Sequence, residues 1–263
     1  MSGDLLAAVV AASRRSATER ERRARAPHEP PALTRASGAF VRALAAPGPN
    51  VIAECKRRSP SRGVLRQAYD PVALARSYAS AGAAAISVLT EATFFDGSLD
   101  HLRAVRDAVR LPLLCKDFIV TDFQVQEAQA AGADAVLLIV AALDQPTLVR
   151  LMGRAQDVGV DALVEVHDAA DLARALEAGA TLVGVNSRDL RTLDVAPEVF
   201  DALAPAIPPG VTAVAESGLS SGAALGRLRG LGYRGFLIGE RLVTQADPGR
   251  ALADLIREAG SGR

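Results

Sequence analysis

Six charged or amide side chains stand where short apolar runs end: Glu54 and Lys56 in VIAECK, Lys116 in LPLLCK, Glu165 in ALVEV, Asn186 in LVGVN and Glu216 in VAESG. Each run reads as a buried strand. Side chains alternate along a strand, so Glu54 and Lys56 share the face of Ile52. By the same rule Lys116, Glu165, Asn186 and Glu216 fall in phase with Leu114, Leu163, Gly184 and Val214. Acids and bases at the ends of buried strands cost free energy unless they are paired or used. Two lysines and three glutamates meeting at one mouth would shift one another's proton affinities, which is how acid and base roles separate near neutral pH. Such a set could give a proton to a carbonyl, hold a carboxylate and stabilise a positive intermediate.

The elements that must position these groups repeat along the chain. Strand candidates fall at 51–55, 84–89, 112–116, 134–140, 161–166, 181–185, 211–215 and 235–239. Segments of helical period lie between them, among them Pro71–Ala81, Leu99–Val109, Gln145–Val158 and Ala169–Ala178. Every second strand follows a similar signal, with Gly82, Gly132, Gly179 or Gly232 where a helix must turn back to the sheet. Those glycines are roughly 50 residues apart, the length of a βαβα repeat occurring four times. Runs this apolar suit parallel strands covered on both faces. The expectation is an α/β fold, a (β/α)₈ TIM barrel over 50–263. An open doubly wound sheet, the rival, would not naturally give eight equal units.

Residues 2 to about 25 and 38–45 read as helices of an N-terminal extension, 1–49, packed on the barrel, with Pro27, Pro30 and Pro31 ending the first. The charge run from Arg14 to Arg25 is expected to be a solvated face. Pro47-Gly48-Pro49 marks the boundary with the barrel.

In a barrel, chemistry belongs at the carboxyl ends of the strands, and phosphate after strands 7 and 8. Ser217 and Gly218 follow strand 7; Gly239 and Glu240 follow strand 8 ahead of a short helical pattern. Backbone N–H groups there could close on an anion, with the Glu240 side chain turned away. Phe94, Phe95 and Phe118 sit after strands 2 and 3 and could wall a pocket for a planar ring. His28, His101 and His167 are scattered, with His167 expected to open an exposed loop. No Cys/His spacing suits a metal, so neither metal nor cofactor is expected.

Bulk properties narrow the class. The 263 residues are 49% apolar and 23% charged, which suits a globular protein with a large core. Lys+Arg and Asp+Glu both total 30, which argues against nucleic acid or an acidic membrane as the main partner. The two cysteines, Cys55 and Cys115, each precede a lysine in a strand and suggest a reducing compartment. No run approaches the roughly 20 apolar residues that span a bilayer. Leu5 to Ala12 is preceded by Asp4 and followed by arginines, the wrong order for a secretory signal, and Glu19 and Glu21 speak against a transit peptide. The expected location is the cytoplasm.

The strings IAECKRRSPS (52–61), SVLTEATFFDGS (87–98), LLCKDFIV (113–120), ALVEVH (162–167), VGVNSRDL (183–190), AESG (215–218) and LIGE (237–240) together resemble indole-3-glycerol phosphate synthase of tryptophan biosynthesis, over about residues 2–259. The resemblance implies a lyase that closes 1-(2-carboxyphenylamino)-1-deoxyribulose 5-phosphate to indole-3-glycerol phosphate with loss of CO₂ and water. It implies Lys116 as general acid and Glu165 as the acid that stabilises positive charge or moves a proton. Lys56 would pair with the substrate carboxylate, Glu54 and Asn186 would serve the dehydration, and Glu216 is a second acid. Ser59, Arg188, Phe95 and Phe118 would hold the substrate. The alternatives are another phosphosugar barrel, such as phosphoribosylanthranilate isomerase or a Schiff-base aldolase, and a silent barrel that binds a phosphorylated ligand. Monomer and homodimer stay open.

Overall fold

A computed structural model describes residues 5–24 and 38–261; Pro27, His28, Pro30 and Pro31 lie outside the described residues. The sheet consists of β1 (Asn50–Cys55), β2 (Ala85–Leu89), β3 (Leu113–Lys116), β4 (Ala135–Ile139), β5 (Asp161–Val166), β6 (Leu182–Asn186), β7 (Thr212–Glu216) and β8 (Gly235–Ile238). These are the strands expected from sequence, to within a residue or two at each end. All pair in parallel with their chain neighbours, and β8 returns to β1 with Asn50 opposite Gly235, closing a barrel. Gly82, Gly132, Gly179 and Gly232 all take positive φ, between 84° and 102°, as the turn back from helix to strand requires.

Helices cover the sheet's outer face. Several start on side-chain caps: Asp70 accepts from the N–H of Val72 and Ala73 at 2.9 and 3.0 Å ahead of Pro71–Ser80, and Asp168 from that of Asp171 at 2.8 Å ahead of Ala169–Glu177. The core therefore has two layers. Ile52, Leu114, Leu137, Leu163, Leu182, Val214 and Leu237 fill the barrel, while Val51, Ala53, Cys55, Val88 and Cys115 face the helices.

Two helices of the N-terminal region reach opposite ends of this barrel. Helix α1 (Leu5–Arg23) lies by the carboxyl ends of the strands, where Leu6 and Val9 line the central cavity. Its Ser13 hydroxyl donates to the Phe118 carbonyl at 2.6 Å, and Arg20 forms a forked ion pair with Glu127 at 2.9–3.0 Å. Helix α2 (Ala39–Leu44) closes the other end with Phe40 and Leu44, both fully buried. Asp161 accepts from the N–H of Phe40 and Val41, and Asn50 donates to the carbonyls of Leu44, Ala46 and Arg234. Among the described residues no helix is long and apolar enough to cross a membrane.

Two details differ from the sequence reading. A small antiparallel hairpin pairs Arg58–Ser59 with Gly63–Val64, and strands that short carry no periodicity. Phe94 and Phe95 lie in a one-turn helix, Ala92–Phe95, capped by the Glu91 carboxylate on the N–H groups of Thr93, Phe94 and Phe95.

Cys55 and Cys115 are free, buried, and pushed well above the usual thiol range by desolvation. Both thiols should therefore be silent to a disulfide reagent at pH 8 in the native protein and react fully once urea unfolds it. Modification of either in the native state, or a Cys55–Cys115 disulfide, would contradict their placement facing the helices.

Candidate active site

The carboxyl ends of the strands open into a cavity of about 630 Å³. Of the residues nominated from the sequence or by the resemblance, Glu54, Lys56, Ser59, Phe95, Lys116, Phe118, Glu165, Asn186, Arg188, Glu216, Ser217, Gly218, Gly239 and Glu240 line it, whereas Phe94, expected in the wall beside Phe95, does not. The inward parity of β1, β3, β5, β6 and β7 raises the charged groups above the apolar plug formed by Leu137, Ile139 and Leu237.

Lys116 is the hub. Its Nζ donates to Glu165 Oε2 and to Glu216 Oε2, each at 3.1 Å, and both glutamates are 1% exposed. Burial disfavours the ammonium, but Glu165, Glu216 and Glu54 outweigh it and hold the proton on Lys116 far above the ordinary range. The two carboxylates part company. For Glu165, burial opposes ionisation, yet Lys116, His167 and the Asn186 side chain hold its carboxyl below the usual range. For Glu216, burial dominates the pull of Lys116, and the charge of Glu165 adds to it, lifting the carboxyl to about 7. One acid is thus ionised and its neighbour takes up a proton near neutrality.

Beside them, Lys56 Nζ sits 2.6 Å from Glu54 Oε1. Gly239 lets β8 approach this pair: a Cβ there would lie 2.3 Å from Glu54 Oε1. Gly184 does the same for Glu216, since a Cβ would meet its Oε1 at 2.1 Å. Glycine in a strand signals such an approach, but which side chain needs the room is a property of the closed barrel.

The apolar wall comes from Phe95 and Phe118, with ring centroids 6.3 Å apart and planes tilted by 33°. Asp117, which hydrogen-bonds Thr90 at 2.6 Å, and Gln124, which donates to the Phe118 carbonyl at 3.0 Å, fix the loop carrying Phe118. After β6, residues 187–196 form a loop closed by a bridge between Arg188 and Val195. Arg188 donates to the Leu193 carbonyl at 2.8 Å, and Leu190, Leu193 and Val195 line the cavity.

At the far end, Ser217 and Gly218 both take left-handed backbone, with φ of 66° and 68°. Ser187 steadies that turn by donating to the Glu216 and Ser217 carbonyls. Arg241 Nε donates to the Ser220 carbonyl, joining the loop after β7 to the turn after β8. The Glu240 carboxylate pairs with Arg62 at 2.8 Å, and Ser59, in the same hairpin as Arg62, is buried against the cavity.

His167 departs from the sequence reading. It folds back instead of opening an exposed loop: Nε2 lies 3.4 Å from Glu165 Oε1 and Nδ1 3.5 Å from Asp171 Oδ2. The signal was present, since residues 165 and 167 share one strand face. Among the described residues no group of His, Cys, Asp and Glu is arranged to hold a metal.

The sequence profile of the family described as indole-3-glycerol phosphate synthase matches residues 7–255. Proteins of that name from Parafrankia sp. and Mycolicibacterium smegmatis are 56% identical over 213 residues (81% of this chain, 80% of the relative) and 52% identical over 232 residues (88% and 84%). One from Mycolicibacterium vanbaalenii is 49% identical over 253 residues, 96% of this chain and 89% of the relative. Among solved structures, KGPDC from Streptococcus mutans superposes with a TM-score of 0.60 at 16% identity, covering 80% of this chain and 97% of that one. 3-Hexulose-6-phosphate synthase from Salmonella typhimurium gives 0.62 at 14% identity over 79% and 98%. At such low identity these structures speak for the fold alone.

Gly184→Ala tests the packing behind Glu216. The added methyl cannot coexist with the carboxylate where it stands, so the variant should lose about 1–3 kcal/mol in urea unfolding, the usual cost of overpacking. An unchanged unfolding midpoint would mean that Glu216 is not confined between Gly184 and Lys116.

Proposed function

The chain belongs to the indole-3-glycerol phosphate synthase family, and on that footing we propose how its barrel mouth closes an indole ring. The reaction converts 1-(2-carboxyphenylamino)-1-deoxyribulose 5-phosphate into indole-3-glycerol phosphate with loss of CO₂ and water. The observation that carries our assignment of roles is Lys116 Nζ placed 3.1 Å from both Glu165 and Glu216 on the floor of the cavity, with its neighbours holding the carboxyl of Glu165 down and burial raising that of Glu216.

As the ring carbon attacks the ketone, negative charge grows on the ketone oxygen. The Lys116 ammonium gives that oxygen a proton, and Glu216 beside it can restore the proton to the lysine. Ionised Glu165 steadies the positive charge left on the ring nitrogen and relays protons. Lys56 holds the substrate carboxylate until it departs as CO₂, which returns the ring electrons. Glu54 and Asn186 then serve the loss of water. The anthranilate ring lies against Phe95 and Phe118, with Arg188 and Ser59 at its edge. The phosphate sits between Ser217-Gly218 and Gly239-Glu240, where N–H groups of a first helical turn have no partner within the helix. The Glu240 side chain is engaged with Arg62. No cofactor has a part in these steps.

A Schiff-base aldolase needs a neutral lysine, whereas the two carboxylates keep Lys116 charged; borohydride with substrate should therefore trap nothing. We further read residues 1–49 as one unit with the barrel and the working unit as a monomer. Buried reduced thiols suit the cytoplasm.

The lysines test the scheme through indole fluorescence of the product. Lys116→Met should cut kcat by about 10²–10⁴ while substrate still binds, and arginine at 116 should not rescue, its pKa being too high to donate. Lys56→Met should weaken binding as well as turnover, with partial rescue by arginine as a bare charge. Equal and fully arginine-rescued defects at both positions would overturn the split between acid and clamp.

For the phosphate site Gly218→Ala is the informative change, since its Cβ would press on Val195 at 2.8 Å with φ at 68°. KM should rise more than kcat falls, because this grip acts on ground and transition states alike. Gly239→Ala does not separate the two, because it would also displace Glu54. An unchanged KM in Gly218→Ala would remove the anchor from this turn.

A further inference from the structure

Glu165 is approached at both oxygens. Lys116 takes Oε2 at 3.1 Å, and His167 Nε2 stands 3.4 Å from Oε1, which has no hydrogen-bond partner among the described residues. On the other side of the imidazole, Asp171 Oδ2 lies 3.5 Å from Nδ1 and also accepts the His167 backbone N–H at 3.2 Å. The Asp168 cap starts the helix that presents Asp171, so one carboxylate holds the His167 backbone and stands at ion-pair distance from its ring, whose two nitrogens, like Glu165 Oε1, have no hydrogen-bond partner among the described residues.

The result is a row running inward from the helix layer: Asp171, His167, Glu165, Lys116, Glu216. Its charges alternate up to the last carboxyl. The other charged groups facing His167 are Glu216 across the mouth and Asp189 in the loop after β6, both acidic. Lys116, beyond Glu165, is the cation closest to it in the row. Burial disfavours a charged imidazole here, but Asp171 and Glu165 outweigh it, so His167 keeps its proton to higher pH than a free histidine.

We propose that His167 is a positioning residue whose imidazolium, braced by Asp171, keeps the Glu165 carboxylate ionised and turned toward Lys116, so that the proton shared at this mouth resides on Glu216. The proposal rests on reading Glu165 as an acid–base group of the ring closure. Without the imidazolium the two carboxyls flanking Lys116 become more alike, and the proton is divided between them.

Two readouts test this. The chain has three histidines, so imidazole NMR titration of the free protein can be assigned by the signal lost in His167→Asn. Glu165→Gln should shift the His167 titration to lower pH, a measurement that needs no turnover. In the kcat–pH profile, His167→Asn should lower kcat by about 10–100-fold with KM changed by about twofold or less. Its acid limb should move up by about one pH unit, as Glu165 loses the nearby cation. Asp171→Asn, which keeps an oxygen for the backbone N–H, should move the limb the same way by less. A His167→Asn enzyme that is slower but whose acid limb stays in place would make the residue merely structural and overturn the proposal. So would a His167 titration indifferent to Glu165→Gln. Full turnover by Glu165→Gln with the imidazole shift intact would instead sink the role given to Glu165 and leave the clamp standing.

Discussion

One constraint organises the molecule: an ammonium and two carboxyls are buried together at the top of the barrel core. In a low-dielectric layer an unpaired Lys116 would shed its proton, and an unpaired Glu165 would take one up. Held 3.1 Å apart they keep each other charged, and Glu216, on the same ammonium, is left with the weaker claim to ionisation. The group able to donate, the group kept ionised and the group able to exchange a proton near neutrality all arise from this one contact set. Such a cluster contributes little to stability compared with an apolar plug of equal volume. Its presence directly above Leu137, Leu163 and Val214 is therefore an argument for chemistry.

Holding that cluster in place is the task of parts remote in sequence. Gly184 and Gly239 give up side chains so that Glu216 and Glu54 can stand where they do. The Arg58–Ser59/Gly63–Val64 hairpin is tied to the loop after β2 by Arg57–Asp96 at 2.9 Å and to the turn after β8 by Arg62–Glu240. Helix α1 reaches over from the amino-terminal region to fix the Phe118 carbonyl. Division of labour between the ends of the barrel follows from the same geometry. Phe40, Leu44 and Asn50 seal the bottom with apolar surface and satisfied hydrogen bonds, while the top keeps its polar groups facing a cavity.

Much of this was legible in the residues themselves. A glycine before every second strand and apolar runs of strand length specify the repeat, because parallel strands buried on both faces admit few polar residues. The polar residues that do occur at their ends then stand out. What the sequence left unread depends on distance through space. Ser13 and Phe118 are far apart in the chain, and nothing local in either announces the bond. Two-residue strands carry no period. The need for glycine at 184 appears only once β6 and β7 lie side by side, with Gly184 opposite Val214 and Asn186 opposite Glu216.

His167 is the instructive miss, because two rules competed there. Strand parity puts it on the face of Glu165; the approach of a capped helix, with Asp168 next in the chain, argues for a loop open to water. Parity prevails in that the ring stands beside Glu165, and Asp171 supplies an anion on its other side. A histidine two residues past an inward acid, followed within one helical turn by another acid, is thus a pattern with a physical meaning in barrels of this kind. The outer acid orients the ring, the ring fixes the charge of the inner acid, and the inner acid governs the lysine.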